Sequence, residues 1–252
     1  MKYAIVLGLF SLLGLFFFAP KELGQNNPDH EDWISLFNGK DLSAWDIKIA
    51  DRPLNDNYLN TFQVEDGMLR IVYDQYENFD DKYGHMYYKK PFSYYKLRFD
   101  YRFVGDQTPG GEAWNVRNSG IMVHSQSAAS NTFEQHFPVS IEVQLLGGLS
   151  DDKVRTTANL CSPGTAVERF GAIDYSHCIN STSKTYHGDQ WVTAEVVVDG
   201  ANSFKHIVEG VVVLEYQGPH LNDGTELGGG TISLQSESHS CEFRKVELLP
   251  LD

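Results

Sequence analysis

Three short segments of the chain, 119–124, 139–146 and 231–237, alternate apolar and polar side chains. Because side chains alternate across a strand, each segment has one apolar face and one face able to form hydrogen bonds. If the three strands are neighbours in one sheet, the second faces form a single polar surface. The alternative is the solvated outer face of a sandwich. The polar faces carry His124, Glu142, Gln144, Gln235 and Glu237.

Several familiar catalytic motifs are missing from the sequence. It contains no Gly-x-Ser-x-Gly, P-loop, Gly-x-Gly-x-x-Gly or His-Glu-x-x-His pattern. Jelly-roll glucanases of the laminarinase type carry three acids, Glu-x-Asp-x-x-Glu, on one strand. The comparable stretch here, Glu142 to Gly147, has only the first of these acids. The sequence therefore gives little support to a glycosidase that draws both carboxylates from one strand.

The charge of the chain limits its partners. The 252 residues carry a net charge of −14, and no cluster of Lys and Arg interrupts it. An acidic surface without a basic patch repels phosphate backbones, so nucleic acid is not expected as a partner.

The N-terminus is typical of an exported protein. Lys2 precedes an almost unbroken apolar run, 4–19, which is short for a membrane span. We interpret residues 1–24 as a signal peptide and 25–32 as a polar linker, which predicts a secreted or periplasmic protein. No stable membrane insertion is expected after cleavage, and an uncleaved anchor is the less favoured alternative.

The remaining residues, 33–252, predict a single all-β domain. Short alternating runs recur along the chain, and two of them are split by Asp66-Gly67 and Glu209-Gly210, which are hairpin signatures. No segment has a long helical period. Strands at this spacing favour a two-sheet antiparallel jelly-roll sandwich. Residues 149–188 have weak periodicity and are expected to form a long loop.

Three cysteines add one constraint. Cys161 and Cys178 both lie in the expected loop, so a disulfide between them is the favoured pairing, with Cys241 a buried free thiol. A zinc site that uses His177 and Cys178 is the competing interpretation, although its spacing matches no standard structural zinc motif.

Five stretches, in order over nearly the whole mature chain, resemble the 3-keto-disaccharide hydrolase family. Residues 34–45 (ISLFNGKDLSAW) are similar to its LFNGKDLSGW opening, and 118–121 (NSGI) and 140–144 (SIEVQ) match two of its strands. Trp191, followed by His206 and Glu209-Gly210, is similar to a fourth stretch. The end, 232–244 (ISLQSESHSCEFR), is similar to a fifth. His124 departs from the family, because many members have Arg after the NSGI strand.

The resemblance implies a concanavalin A-like, laminarinase-like jelly roll that cleaves 3-keto-glycosides such as 3-keto-disaccharides. A ketone at C3 acidifies the proton on C2; a base removes it, the aglycone at C1 leaves, and water then adds. Hydrolysis and lyase-type elimination both remain open. The chemistry needs a base, a group that stabilises the enolate oxygen and a proton for the leaving group.

Residue roles follow from this resemblance. His124 is the first candidate base, since histidine titrates near neutral pH, and a buried hydrogen-bonded histidine is its alternative. Glu142 is the second, as base or as the residue that orients His124. No cofactor is expected; a divalent cation such as calcium, held by Glu142, His124 or Glu237, is an alternative that no spacing motif supports. The expected substrate-binding residues are Asn118, Gln144, Gln235, Glu237, His239 and Arg244.

Two other functional classes fit parts of the sequence. A non-catalytic, lectin-like carbohydrate-binding module would also have a polar face and many aromatic residues. A structural or adhesion domain would leave the polar face flat and solvated. A lectin would retain part of its sugar binding after His124→Ala or Glu142→Ala, whereas an enzyme would lose turnover by several orders of magnitude. A structural domain would bind no ligand.

Overall fold

β-Branched and aromatic residues alternate with polar ones in the longer strands of this protein. The computed structural model describes residues 32–150 and 153–251. The predicted signal peptide and residues 25–31 of the predicted linker lie outside these ranges. The first nine strands are β1 (Ile34–Ser35), β2 (Trp45–Ile49), β3 (Phe62–Glu65), β4 (Met68–Ile71), β5 (Gly84–Tyr88), β6 (Tyr94–Gln107), β7 (Asn118–Ser125), β8 (Ile141–Leu146) and β9 (Asn159–Cys161). The others are β10 (Thr165–Arg169), β11 (Ala172–Asp174), β12 (Cys178–Ile179), β13 (Val192–Asp199), β14 (Ser203–Val208), β15 (Val211–Leu221), β16 (Thr231–Ser236) and β17 (His239–Pro250).

The helical content of the described residues is limited to three single 3₁₀ turns. No helix in these ranges is long and apolar enough to cross a membrane. The turns are Tyr58–Asn60, Ala113–Asn115 and Ala128–Ser130.

The strands form two antiparallel sheets that pack face to face as a concanavalin-like jelly roll. The larger sheet has the order β11-β10-β15-β14-β13-β6-β17-β4-β3, with β1 also paired to β17. The smaller sheet has the order β12-β9-β8-β7-β16-β5-β2. The predicted all-β sandwich is therefore confirmed.

One apolar core fills the space between the sheets. From the smaller sheet it takes Ile121, Val143 and Leu234, and from the larger sheet Phe99 and Phe243, all of which are essentially inaccessible to solvent. Burial of such side chains stabilises the fold by about 1.5–3 kcal/mol each. Because alternate residues of β7, β8 and β16 must enter this core, the intervening residues face away from it.

Both predicted hairpin turns are present. Asp66 and Gly67 join β3 to β4, and Glu209 and Gly210 join β14 to β15. All four residues have positive φ angles, between 48° and 77°. Two central residues with positive φ characterise the type I′ turn, whose twist matches that of the flanking strands.

The prediction of a long loop over 149–188 is wrong in part, because this segment contains four short strands. Strands β9 and β12 extend the smaller sheet, while β10 and β11 extend the larger one. These strands are two to five residues long, too short for alternation to be visible in sequence. Pairing with longer neighbours, rather than intrinsic propensity, fixes their conformation.

A disulfide joins β9 to β12. Cys161 and Cys178 are directly opposed in the two strands and bonded to each other, and Cys241 is a buried free thiol. With both sulfurs in one bond, neither thiolate is available to the zinc site considered above.

This disulfide closes a loop with a sequence separation of 17 residues. We expect the double variant Cys161→Ala/Cys178→Ala to lose about 3 kcal/mol of unfolding free energy, because the unfolded chain regains the entropy of that loop. Urea denaturation of the two proteins measures the difference. A midpoint equal to that of the Cys241→Ala variant or higher would contradict the expectation.

Candidate active site

Strand pairing brings the predicted polar side chains onto one face of the smaller sheet. Strand β7 lies between β8 and β16, so the three segments are neighbours, as the polar-surface hypothesis requires. Glu142 is opposite Met122 and Gln144 is opposite Gly120 in the β7–β8 register. Opposed residues share a face, and Gln235, which pairs with His85 of β5, lies on the same face.

This face is buried, although it points away from the other sheet. His85 is 2% exposed, Met122 0%, Ser233 0% and Gln235 1%. Loops from elsewhere in the chain cover it; Phe137, for example, packs edge-on against His85. The alternative of a solvated outer face is therefore wrong.

A cavity of about 320 Å³ opens over the face at Glu142. Its size is within the range of ligand pockets in proteins, about 300–1,000 Å³. Carboxyl and amide groups stand on one side, and aromatic rings, a proline and the disulfide form the rest of the wall. The lining residues are Trp114, Phe137, Glu142, Gln144, Cys161, Pro163, His177, Cys178 and Glu237.

The carboxyl groups of Glu142 and Glu237 line this cavity together. Glu142 comes from β8, whereas Glu237 follows the last residue of β16. They are 6% and 2% exposed, respectively. Glycine at position 120 makes room for the first of them, since a Cβ there would overlap Glu142 Oε1.

Burial keeps both carboxyl groups protonated above the usual range for glutamate. It raises the pKa of Glu142 to about 8. Burial also raises the pKa of Glu237 well above its ordinary value, and repulsion from the nearby Glu142 raises it further. Removal of the first proton leaves one carboxylate beside one carboxylic acid, which is a base and an acid in the same cavity.

Several buried polar atoms on this face have no hydrogen-bond partner among the described residues. They are His85 Nε2, Ser233 Oγ, Gln235 Oε1 and Glu237 Oε2. Buried polar atoms in folded proteins are normally paired, and an unpaired group marks a place where a ligand or water is bound. Burial lowers the pKa of His85 to about 3, so its ring is neutral and offers one donor and one acceptor.

Aromatic residues form the rim of the cavity. The ring of Trp114 is 51% exposed and stacks on Tyr83 with 6.2 Å between centroids. Tyr83 also contacts His136 and Phe137, and its hydroxyl accepts a hydrogen bond from Asn115. An exposed ring above buried polar groups is an arrangement suited to an amphipathic ligand such as a sugar.

The predicted face of His124 is wrong. The register between β7 and β16 shifts between Thr231 and Ser233, so β7 has one extra residue there, and His124 has a φ of 49°. This bulge turns the ring into the core, where it packs edge-on against Phe204 and bonds through Nε2 to Gly200 O at 2.9 Å. His124 is therefore the buried, hydrogen-bonded histidine of the alternative interpretation, and it does not line the cavity with Glu142.

Two predicted substrate-binding residues lie elsewhere. Arg244 is on the larger sheet, where it pairs with Asp100 at 2.9 Å and stacks on Trp191. His239 begins β17 and lines a different cavity, of about 660 Å³, together with Arg117 and His187. Neither side chain is among those that line the cavity with Glu142.

Asn118 has a supporting position. It lies on the same face as Gly120 and Met122 at the start of β7, and it donates through Nδ2 to Trp114 O at 3.3 Å. It therefore holds the turn that carries the exposed tryptophan.

Comparison with known proteins identifies the family. The family model of the 3-keto-alpha-glucoside-1,2-lyase-like domain matches residues 32–249. The chain belongs to this family. No curated protein sequence matches it. Within the described residues, no group of three or more His, Cys, Asp or Glu side chains is arranged to hold a metal ion.

Two solved structures from Parabacteroides distasonis ATCC 8503, each described as a candidate glycosyl hydrolase, share the fold. One is 19% identical with a TM-score of 0.53, and covers 88% of this chain and 95% of its own. The other is 18% identical with a TM-score of 0.52, and covers 87% of this chain and 99% of its own. These two structures show the fold, and the lyase-like family supports an enzyme that acts on glycans.

Sequence reasoning missed much of the wall of this lyase-like domain. Trp114, Phe137 and Pro163 come from loops whose positions no strand periodicity fixes. His85 lies on β5, a strand that was not predicted, since its sequence GHMYY has no clear alternation. Trp114, which lies in a glycine-rich, polar stretch, is a sequence feature that could have indicated this region but was not used.

The raised pKa of Glu142 predicts a dependence of stability on pH. A carboxyl group with a raised pKa in the folded state stabilises the protein below its unfolded pKa, and that contribution is lost as pH rises through about 8. We expect Glu142→Gln to match the wild type near pH 4 and to exceed it by roughly 3–5 kcal/mol above pH 8, because the buried charge is removed. Urea denaturation across this range gives the difference.

Glu215→Gln is the matched control, because Glu215 is a surface residue 59% exposed in an ion pair with Lys205. Its difference from the wild type should not grow with pH. A Glu142→Gln variant with the same flat profile would show that the carboxyl group is not desolvated.

Proposed function

We propose that this protein cleaves 3-keto-glycosides by removing the proton on C2 and releasing the aglycone from C1. The observation that supports the proposal is the pair of buried carboxyl groups, Glu142 and Glu237, in one cavity. Elimination from a 3-keto-glycoside needs one base and one acid, and a carboxyl pair that holds a single proton supplies both.

In the first step, the ionised carboxylate accepts the C2 proton, and the electrons of the C2–H bond form an enolate that spans C2, C3 and the C3 oxygen. The enolate then becomes a C1=C2 double bond, conjugated with the C3 ketone, as the C1–O bond breaks. The protonated carboxyl group donates its proton to the departing oxygen. The pair thus gains one proton and loses one, so its total charge is unchanged.

In the second step, water adds across the double bond, with hydroxide at C1 and a proton at C2. The same pair can serve again, one member accepting a proton from water and the other donating one. Two steps of this kind complete a hydrolysis. If the unsaturated ketone leaves before water adds, the enzyme acts as a lyase.

The polar part of the same face suits the sugar ring. Gln144 and the exposed ring of Trp114 line the cavity, where they can hold sugar hydroxyl groups and the face of the ring. Gln235 Oε1 and His85 Nε2 have no partner among the described residues and lie on the same face, but outside the cavity lining. A bridging water would link them to a substrate.

The test is incubation of the protein with a 3-keto-glycoside that has a chromogenic aglycone, beside the unoxidised glycoside, with and without a chelator. We expect release from the keto substrate only. The rate should rise with pH toward about 8 as the pair loses its first proton. Glu142→Gln and Glu237→Gln should each lower kcat by about 10²–10⁴-fold, since each removes one of the two proton-transfer groups.

His124→Ala is the control variant, because it changes a buried polar residue outside the cavity. It should retain most of the turnover at a temperature where circular dichroism shows it folded. Release from the unoxidised glycoside as well would indicate direct glycosidic hydrolysis by the carboxyl pair. Sugar binding without release from either substrate would indicate a lectin-like module, and loss on chelation would indicate a metal.

A further inference from the structure

Gln144 of β8 faces the cavity and is paired with Asn159 of β9. Asn159 donates through Nδ2 to Gln144 Oε1 at 3.2 Å. Asn159 itself does not line the cavity and is 1% exposed. The amide of Gln144 therefore has its oxygen engaged by a buried neighbour.

The orientation of the Asn159 amide is fixed at both ends by groups with only one hydrogen-bonding role. The backbone N–H of Ser181 can only donate, and it lies 2.9 Å from Asn159 Oδ1. The backbone carbonyl of Thr156 can only accept, and it lies 3.0 Å from Asn159 Nδ2. The hydroxyl of Thr156 donates to Oδ1 as well, at 2.7 Å. A flipped amide would set donor against donor and acceptor against acceptor.

This arrangement determines which end of the Gln144 amide is available to a ligand. Because Asn159 offers an N–H donor, the Gln144 amide must place its oxygen toward Asn159 as the acceptor. The Gln144 NH₂ group is left, and it has no partner among the described residues. The cavity wall at this point is therefore a hydrogen-bond donor.

We propose that Asn159 is a positioning residue that locks Gln144 as a donor to the C3 oxygen of the substrate, and so favours a ketone there. This inference rests on the proposed function. A ketone oxygen can only accept a hydrogen bond, and it gains negative charge as the proton on C2 is removed. A fixed donor at this oxygen stabilises the enolate without reorganisation during the reaction.

The position of Gln144 relative to Glu142 fits this role. The two residues are separated by one position on the same face of β8, so their Cα atoms are about 7 Å apart. The proton on C2 and the oxygen on C3 belong to adjacent carbon atoms, and side chains from these two positions can converge on them. Arg244, which the sequence predicted to bind substrate, lies on the other sheet.

The test uses the Asn159→Asp variant and two ligands that cannot be cleaved. The ligands are 1,5-anhydroglucitol and its 3-keto derivative, which carry no aglycone at C1. The carboxylate of the variant can still accept from Ser181 and Thr156, but it cannot donate to Gln144 Oε1. Gln144 then turns its NH₂ group toward the carboxylate and presents its oxygen to the cavity.

Calorimetry should show the ratio of dissociation constants, ketone over alcohol, rising by about tenfold at pH 8 relative to the wild type. In the variant, the ketone oxygen faces the Gln144 oxygen and loses its hydrogen bond, whereas the hydroxyl of the alcohol can donate to that oxygen. At a pH low enough to protonate the new carboxyl group, its O–H can donate to Gln144 Oε1, and the ratio should return toward that of the wild type. A structural disturbance would weaken both ligands alike and leave the ratio unchanged.

The double variant Asn159→Asp/Gln144→Leu is the control for the route of the effect. Its ratio should equal that of Gln144→Leu alone, because Asn159 acts only through the amide that has been removed. An unchanged ratio in Asn159→Asp, a further change in the double variant, or no binding of the ketone to the wild type would each overturn the inference. Ketone selection without aglycone release would retain it and refute the proposed function instead.

Discussion

The packing of two sheets on one apolar core is the constraint on which the site depends. Because Ile121, Val143 and Leu234 must enter that core, the residues between them are forced onto the opposite face of β7, β8 and β16. A polar face on a sandwich is ordinary when it meets water. Here loops cover it, and the same alternation that builds the core also concentrates buried polar atoms at one cavity.

Burial of the Glu142 and Glu237 carboxyl groups lowers the stability of the fold, but it gives them the pKa values that proton transfer requires. Glu142 and Glu237 would be more easily accommodated at the surface, where both could ionise in water. In the cavity, the loss of hydration and their mutual repulsion hold protons on them well above the usual range of their pKa values. Perturbed groups of this kind mark functional sites more often than structural ones. On the neighbouring strands, His85 Nε2 and Gln235 Oε1 are also buried without a partner among the described residues, which costs stability in the same way.

Asn159 illustrates how a residue outside the cavity can set its chemistry. Two backbone groups fix the orientation of the Asn159 amide. The Asn159 amide in turn fixes the orientation of the Gln144 amide. Such fixed dipoles are effective because they need not reorient as charge develops on a substrate. The contact of Asn159 with Gln144 depends on the pairing of β8 with β9, a strand within the segment that was predicted to be a loop.

Much of the fold and part of the site could be predicted from sequence. Alternation fixed the faces of Glu142, Gln144 and Gln235, because the period of a strand is two wherever pairing is regular. The Asp66-Gly67 and Glu209-Gly210 turns were equally local, since the glycine that both share readily adopts the positive φ required at the second turn position. The family resemblance added the concanavalin-like architecture, which composition alone could not supply.

Tertiary structure decided what lies outside local patterning. A single extra residue in β7 reversed the face of His124, and a bulge of this kind depends on the partner strand rather than on the residues that form it. The meeting of Glu142 with Glu237, almost a hundred positions apart in the sequence, follows from the strand order β8-β7-β16. The sequence by itself determined which side chains could do chemistry; strand pairing and loop placement decided which of them share a cavity, because those contacts join residues distant along the chain.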